Sequence, residues 1–299
     1  MKISFRRMGL YLARSYPPWV TLPYTFLSYA CLSWSLSASR SETPSLGIGS
    51  LAGTLTTFFF LLFLRVSDEI KDAETDKRLF PDRLFPSGKI LIQDLRCLWW
   101  TALAALAASV SFIWPPSPWA IGLIAYSLLM YKYFFFPKAI SGNLLLALAT
   151  HNPSMYILQL CALGFISPRR PPRPYDFLVC LLFYLPSLLW ELSRKVRAPS
   201  RETEYQTYSS IFGFKTAAAA AFIPAGLISL LAFIMAPCLG LSSWALYAIV
   251  VALSIYAARI VVFMARPELP LPTIGKTAQA WGLAFYGIVG ADMAAKIWL

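Results

Sequence analysis

The sequence predicts an all-α protein, a polytopic membrane bundle of about nine transmembrane helices. Three observations predict it: a composition too apolar for a soluble domain, apolar runs of spanning length from one end to the other, and cations gathered on one side of those runs. Of 299 residues, 58% are hydrophobic and only 13% charged, and the mean hydropathy is +0.60. Lipid accepts such a surface when the backbone satisfies its own polar groups inside helices. As a membrane bundle the chain reads as a single domain over residues 1–299.

A spanning helix needs about 20 mostly apolar residues. Nine segments qualify, at about 18–38, 48–66, 98–114, 118–136, 140–165, 176–191, 215–236, 243–263 and 278–298. The fifth is interrupted by His151, Asn152 and Pro153, where a kink or break is expected. Lys2, Arg6, Arg7 and Arg14 precede the first run in the manner of a signal peptide, but no convincing small-residue cleavage site comes after it. The run is therefore read as a retained helix. With the N-terminus inside, 21 of the 26 Lys and Arg fall on the inner side, which fits the positive-inside rule. The five outer cations are Arg40, Arg169, Arg170, Arg173 and Lys296, and the stretch 169–173 is the one local departure.

The net charge of +12 does not point to nucleic acid, because no soluble basic module carries it. The cations instead set topology and meet anionic membrane lipid. Cys31, Cys97, Cys161, Cys180 and Cys238 form no CxxC pair and read as small buried hydrophobes. The expected location is an integral, multi-pass membrane protein, in the cytoplasmic membrane if the source is bacterial.

The densest charge runs from Arg65 to Arg78 at the inner end of the second apolar run. On a continuous helix at about 100° per residue, Glu69, Asp72 and Asp76 fall at about 100°, 40° and 80° from Asp68, and Glu74 at about 240°. Four carboxylates on one arc repel one another unless cations lie between them. Mg²⁺ is the natural partner, since it takes a few carboxylates and substrate phosphates. The alternative is a solvated helix extension with ion pairs through Lys71 and Lys77.

Next comes a Pro- and Gly-broken loop, Phe80 to Lys89, in which Arg83 and Lys89 either reach phosphate oxygens or anchor the inner face. The sixth run ends in a second polar cap, Glu191-Leu-Ser-Arg194-Lys195, with Arg201 beyond it. It lies about 120 residues after Glu69, so the two caps read as ends of duplicated units facing each other across the bundle. Glu191 is a candidate metal ligand, while Arg194, Lys195 and Arg201 are candidate diphosphate contacts. Here the alternative is a structural Glu191–Lys195 pair.

These residues resemble a known family. Asp68-Glu69-x-x-Asp72-x-x-x-Asp76 is similar to the first aspartate-rich motif, N-D-x-x-D-x-x-x-D, of the UbiA superfamily of intramembrane prenyltransferases. The stretch Pro81-x-Arg83-x-x-Pro86-x-Gly88 also resembles the family's segment just after that motif. The resemblance covers essentially the whole chain. The family's second motif, D-x-x-x-D, is replaced by Glu191-x-x-x-Lys195, and a Lys cannot bind Mg²⁺.

The resemblance implies Mg²⁺-dependent transfer of a prenyl group from an isoprenoid diphosphate to a lipophilic acceptor. Asp68, Glu69, Asp72, Asp76 and Glu191 would be the catalytic and metal-binding residues. Arg65, Arg83, Lys132, Arg194, Lys195 and Arg201 would hold the diphosphate. A terpene cyclase of the same superfamily is the alternative, and a transporter a third reading. A prenyl carbocation needs shielding and an electron-rich wall, for which Tyr131, Tyr133, Phe134, Phe135, Phe136, Tyr184 and Trp190 are available. His151, the sole histidine, is either a base or acceptor-binding group or a helix-break hydrogen-bonding residue.

Overall fold

The computed structural model describes residues 3–43, 47–113 and 116–298; Lys2, Trp114 and Pro115 lie outside them. Helices succeed one another as α1 (Phe5–Ser15), α2 (Pro18–Ser39), α3 (Ile48–Lys71), α4 (Ala73–Leu79), α5 (Ile92–Val110), α6 (Pro118–Tyr131) and α7 (Pro137–Ser141). Then come α8 (Leu144–His151), α9 (Pro153–Ile166), α10 (Pro174–Ser193), α11 (Tyr208–Phe212), α12 (Phe214–Leu239), α13 (Ser243–Ala265) and α14 (Ile274–Trp298). No strand occurs among the described residues.

Each of the nine apolar segments is largely helical, but the rods are unequal. Among the described residues, four helices are long and apolar enough to cross a membrane: α3, α10, α12 and α13. The expected fourth span is cut at Tyr131, so α6 has 14 residues. The fifth divides into α7, α8 and α9, with the anticipated break at Asn152 between His151 and Pro153. Proline lacks the amide a helix interior needs, so it opens a new helix more readily than it continues an old one.

One large core joins α2, α9, α10, α12, α13 and α14 around Phe183, Ile228, Tyr256 and Phe285. A second joins α1, α3 and α5 around Tyr11, Phe63, Val66 and Leu95. Helix α3 also reaches a third cluster with α5, α6 and α9 through Phe60, Leu106 and Leu158. The end of α3 is therefore held from several sides, which matters because it carries the acidic cap.

Ion pairs fix the helix ends. Asp94, fully buried at the third position of α5, accepts from the Ser4 amide at 2.9 Å, the Leu91 amide at 3.1 Å and the Arg7 guanidinium at 2.5 and 3.0 Å. This clamp docks α1, a helix that the spanning-length criterion passed over because it is short and bears cations. Asp176, fully buried at the third position of α10, accepts from Arg40 at 3.1 and 2.7 Å and from the Arg173 amide at 2.6 Å.

The outer cations owe their position to these acids. Arg170 pairs with Glu42, Arg173 lies 3.9 Å from Asp176, and Lys296 pairs with Asp292. Of the five outer cations only Arg169 lacks an acidic partner among the described residues.

Removing one partner of a buried pair strands the other charge, at a cost of about 3–5 kcal/mol. Arg40→Leu should cost that much in detergent unfolding curves. Lys77→Ala, at the exposed pair with Glu74, should cost under about 1 kcal/mol.

Candidate functional site

The acidic cap is not one continuous helix. Helix α3 stops at Lys71, Asp72 takes φ −90° and ψ 8°, and α4 starts at Ala73. The expectation of four carboxylates along an unbroken arc is corrected by this break and by the arginines nearby. Arg65 reaches Glu69 at 2.7 Å, and Arg83, folded back from the loop, grips both oxygens of Asp76 at 2.8 and 2.7 Å. These two pairs lie together, with Glu69 beside Arg83 and Asp76. A cleft of about 310 Å³ includes Arg14, Arg65, Glu69, Arg83 and Lys89.

Asp68 and Asp72 lie outside these two pairs, and their side chains are the more exposed ones. Asp68 is 53% exposed, and its nearest cation is the Lys71 ammonium at 4.0 Å. Asp72 forms no side-chain hydrogen bond or ion pair among the described residues. The protein around it pushes its carboxyl up to about 6, by burial first and by the neighbouring charge of Asp68 second.

The end of α10 comes to the same place. Asp68 lies within electrostatic reach of Arg194 and Glu191, and Asp72 within reach of Lys195. Glu191 holds Arg194 at 2.6 and 3.0 Å and Lys195 at 3.2 Å. Burial pulls the Arg194 guanidinium down, but Glu191 more than offsets this and leaves it raised. Burial dominates at Lys195 and lowers its ammonium. The two loops also touch, with the Phe80 and Tyr205 rings 5.9 Å apart. Gly275, at the start of α14, lets that helix press on the end of α10. A Cβ there would stand 2.9 Å from the Cα of Arg194.

A third element completes the wall. The Lys71 ammonium lies 3.0 Å from His151 Nε2, donates to the Met130 carbonyl at 3.4 Å and sits 4.0 Å from the centre of the Tyr133 ring. An ammonium can only donate, so His151 Nε2 accepts and its proton belongs on Nδ1, 3.0 Å from the Ala147 carbonyl. Tyr133, Phe134 and Phe135 take φ of 50°, 50° and 65°. That conformation costs roughly 1–2 kcal/mol per residue. Contacts of the His151 ring with Tyr133 and Phe134, and of Lys71 with Tyr133, offset it. His151 hydrogen-bonds at the helix break and, besides, contacts a cation.

No family model matches the sequence, and neither does any curated protein. Solved structures do match. A UbiA homologue from Aeropyrum pernix K1 superposes with a TM-score of 0.63 at 15% identity, over 92% of this chain and 98% of that one. A digeranylgeranylglyceryl phosphate synthase superposes with a TM-score of 0.61 at 16% identity, over 99% and 100% of the two chains. The fold is UbiA-like.

Within that UbiA-like bundle, the predicted site residues divide into three groups. Asp68, Asp72, Glu191, Arg194 and Lys195 come together at one mouth. Glu69, Asp76, Arg65 and Arg83 form the paired cluster. Lys132 and Arg201 lie elsewhere. Lys132 stands over the Tyr131 ring at 5.6 Å, beside Arg96, and Arg201 lies near Glu268. Sequence reasoning overlooks Lys71, which looks like a surface ion-pairing residue, and Tyr208. The buried Tyr208 hydroxyl has no hydrogen-bond partner among the described residues, and its ring lies 5.8 Å from the Lys195 ammonium.

With only one histidine, the tautomer is directly observable. Nitrogen NMR of ¹⁵N-histidine-labelled protein should show His151 with its proton on Nδ1. Lys71→Met, which removes the donor to Nε2, should shift the population toward the Nε2–H form.

Proposed function

We propose that this protein is a membrane-embedded prenyltransferase. It would use Mg²⁺ to bind an isoprenoid diphosphate at the inner mouth of the bundle and transfer its prenyl group to a lipophilic acceptor in the membrane. The whole chain, 1–299, would act as one domain, with the mouth on the cytoplasmic side. The observation that carries this reading is the pair of open carboxylates, Asp68 and Asp72, set opposite Arg194 and Lys195 at the meeting ends of α3 and α10. The UbiA-like fold supports it.

The donor set suits Mg²⁺ in a restricted way. Among the described residues no three His, Cys, Asp or Glu side chains are close enough to make a cage. Mg²⁺ is usually held by one or two carboxylates with substrate phosphates and water, and Asp68 and Asp72 supply that number of hard oxygen ligands. Glu69, Asp76 and Glu191 are committed to arginine or lysine. They are assigned to shaping the mouth rather than to binding metal. When bound, the ion neutralises diphosphate charge and helps the group leave.

The chain's own residues do the remainder. Arg194 presents a planar fork to phosphate oxygens, and Lys195 and Lys71 add fixed positive charge. Lys195 stands where the family's second motif offers another acid, so part of the counter-charge is built into the protein. Tyr133 and Phe134, held against His151, give the emerging prenyl cation an electron-rich wall and keep water from it.

Diphosphate release from farnesyl or geranylgeranyl diphosphate tests the reading without knowledge of the acceptor. Release should need Mg²⁺ and stop with chelator; full activity after exhaustive chelation would overturn it. Asp72→Asn should lower turnover by about 10²-fold or more, as loss of a charge-stabilising group does. Glu69→Gln should act chiefly on stability.

Lys195→Asp restores the family's usual acid and removes a fixed cation. Its activity should fall at ordinary Mg²⁺ and recover in part as Mg²⁺ rises. A flat Mg²⁺ response would retire the built-in-cation role. A cyclised hydrocarbon or terpene alcohol released without acceptor would favour the cyclase instead.

A further inference from the structure

We infer that the cleft between the inner ends of α5 and α6 seats the phosphate of an anionic membrane phospholipid. The cleft measures about 350 Å³ and lies at the same end of the bundle as the acidic cap. None of the residues around Asp68 and Asp72 that form the candidate site line it.

Its walls are aromatic and rigid. The Trp99 indole donates to Ser67 Oγ at 2.9 Å and packs against Phe63, Trp100 and Tyr131 with ring centres 5.1, 4.8 and 4.9 Å apart. Ile70 and Leu128 add an aliphatic lining. Trp100 is 65% exposed on the outer surface of the bundle, so the cleft opens to the surroundings of the protein and not into its core.

Two cations stand in this apolar setting, Arg96 from α5 and Lys132 at the end of α6. Neither has an acidic partner among the described residues. Structural ion pairing does not explain them.

Charge and apolar surface together define the occupant. Arg96 can bind a phosphate through two parallel hydrogen bonds and Lys132 can add a point charge. Indole rings favour the level of lipid headgroups. A free phosphate ion would leave Ile70, Trp100 and Leu128 without a role, whereas a phospholipid lays its glycerol and upper acyl carbons against them. Interfacial cations also attract anionic lipid additively.

The experiment is native mass spectrometry of the purified full-length chain with palmitoyl-oleoyl phosphatidylglycerol or phosphatidylcholine. The wild type should retain phosphatidylglycerol preferentially. Arg96→Gln/Lys132→Gln should lose that retention by roughly tenfold or more. A control with the same loss of charge, Arg6→Gln/Lys138→Gln, should keep it. Equal loss in both variants would mean diffuse attraction to the basic face and would overturn the site. Displacement of the lipid by millimolar inorganic phosphate would make it a free-anion site and also overturn the proposal.

Should the double variant not fold, fluorescence answers instead. Brominated phosphatidylglycerol should quench the wild type more than brominated phosphatidylcholine, and Trp100→Phe should remove the difference. Equal quenching by the two lipids would overturn the proposal.

Discussion

The structure depends on one electrostatic constraint: an ionised carboxylate inside an apolar bundle needs a cation beside it. Stranding such a charge costs several kcal/mol. The buried acids obey it, Asp94 with Arg7, Asp176 with Arg40, Asp76 with Arg83, Glu69 with Arg65 and Asp292 with Lys296. Asp94 and Asp176 also fix the starts of α5 and α10, through the Leu91 and Arg173 amides. Against that background Asp68 and Asp72 stand apart. They are acids left open at a mouth that also holds Arg194, Lys195 and Lys71. Three cations with one acid, Glu191, already among them leave this mouth with positive charge beside two open carboxylates, and the proposed diphosphate site rests on that.

The same mouth stores strain. Tyr133, Phe134 and Phe135 adopt a backbone conformation that aromatic residues avoid, held by a lysine and a histidine from two other helices. Strain of this kind persists only where the surroundings over-determine it, and it clusters at functional sites. His151 meets Lys71 here, so a lone histidine in an apolar segment has a polar partner.

Most of the fold could be read from the sequence because lipid imposes a simple rule on chain composition. Apolar runs of spanning length, and cations on one side of them, are local properties, and the break at Asn152 falls where Pro153 opens a new helix. The site was legible in outline, as two polar caps facing each other. Its inner arrangement was not, because it depends on residues distant in sequence. Nothing local to Asp76 says that Arg83 will fold back onto it. Lys71 has the look of a surface ion-pairing partner until His151, 80 residues on, comes within 3.0 Å. Helix α1 escapes notice for a related reason, since its anchor, Asp94, lies in α5.

The central claim is that the ends of α3 and α10 together hold one diphosphate. An experimental structure with Mg²⁺ and an unreactive thio-analogue of geranylgeranyl diphosphate tests it most directly. The account predicts a diphosphate between Asp68 and Asp72 on one side and Arg194 and Lys195 on the other, with the prenyl chain running toward Tyr133 and Phe134. A diphosphate lodged instead among Arg14, Arg65, Arg83 and Lys89, in the cleft beside Glu69, would contradict it.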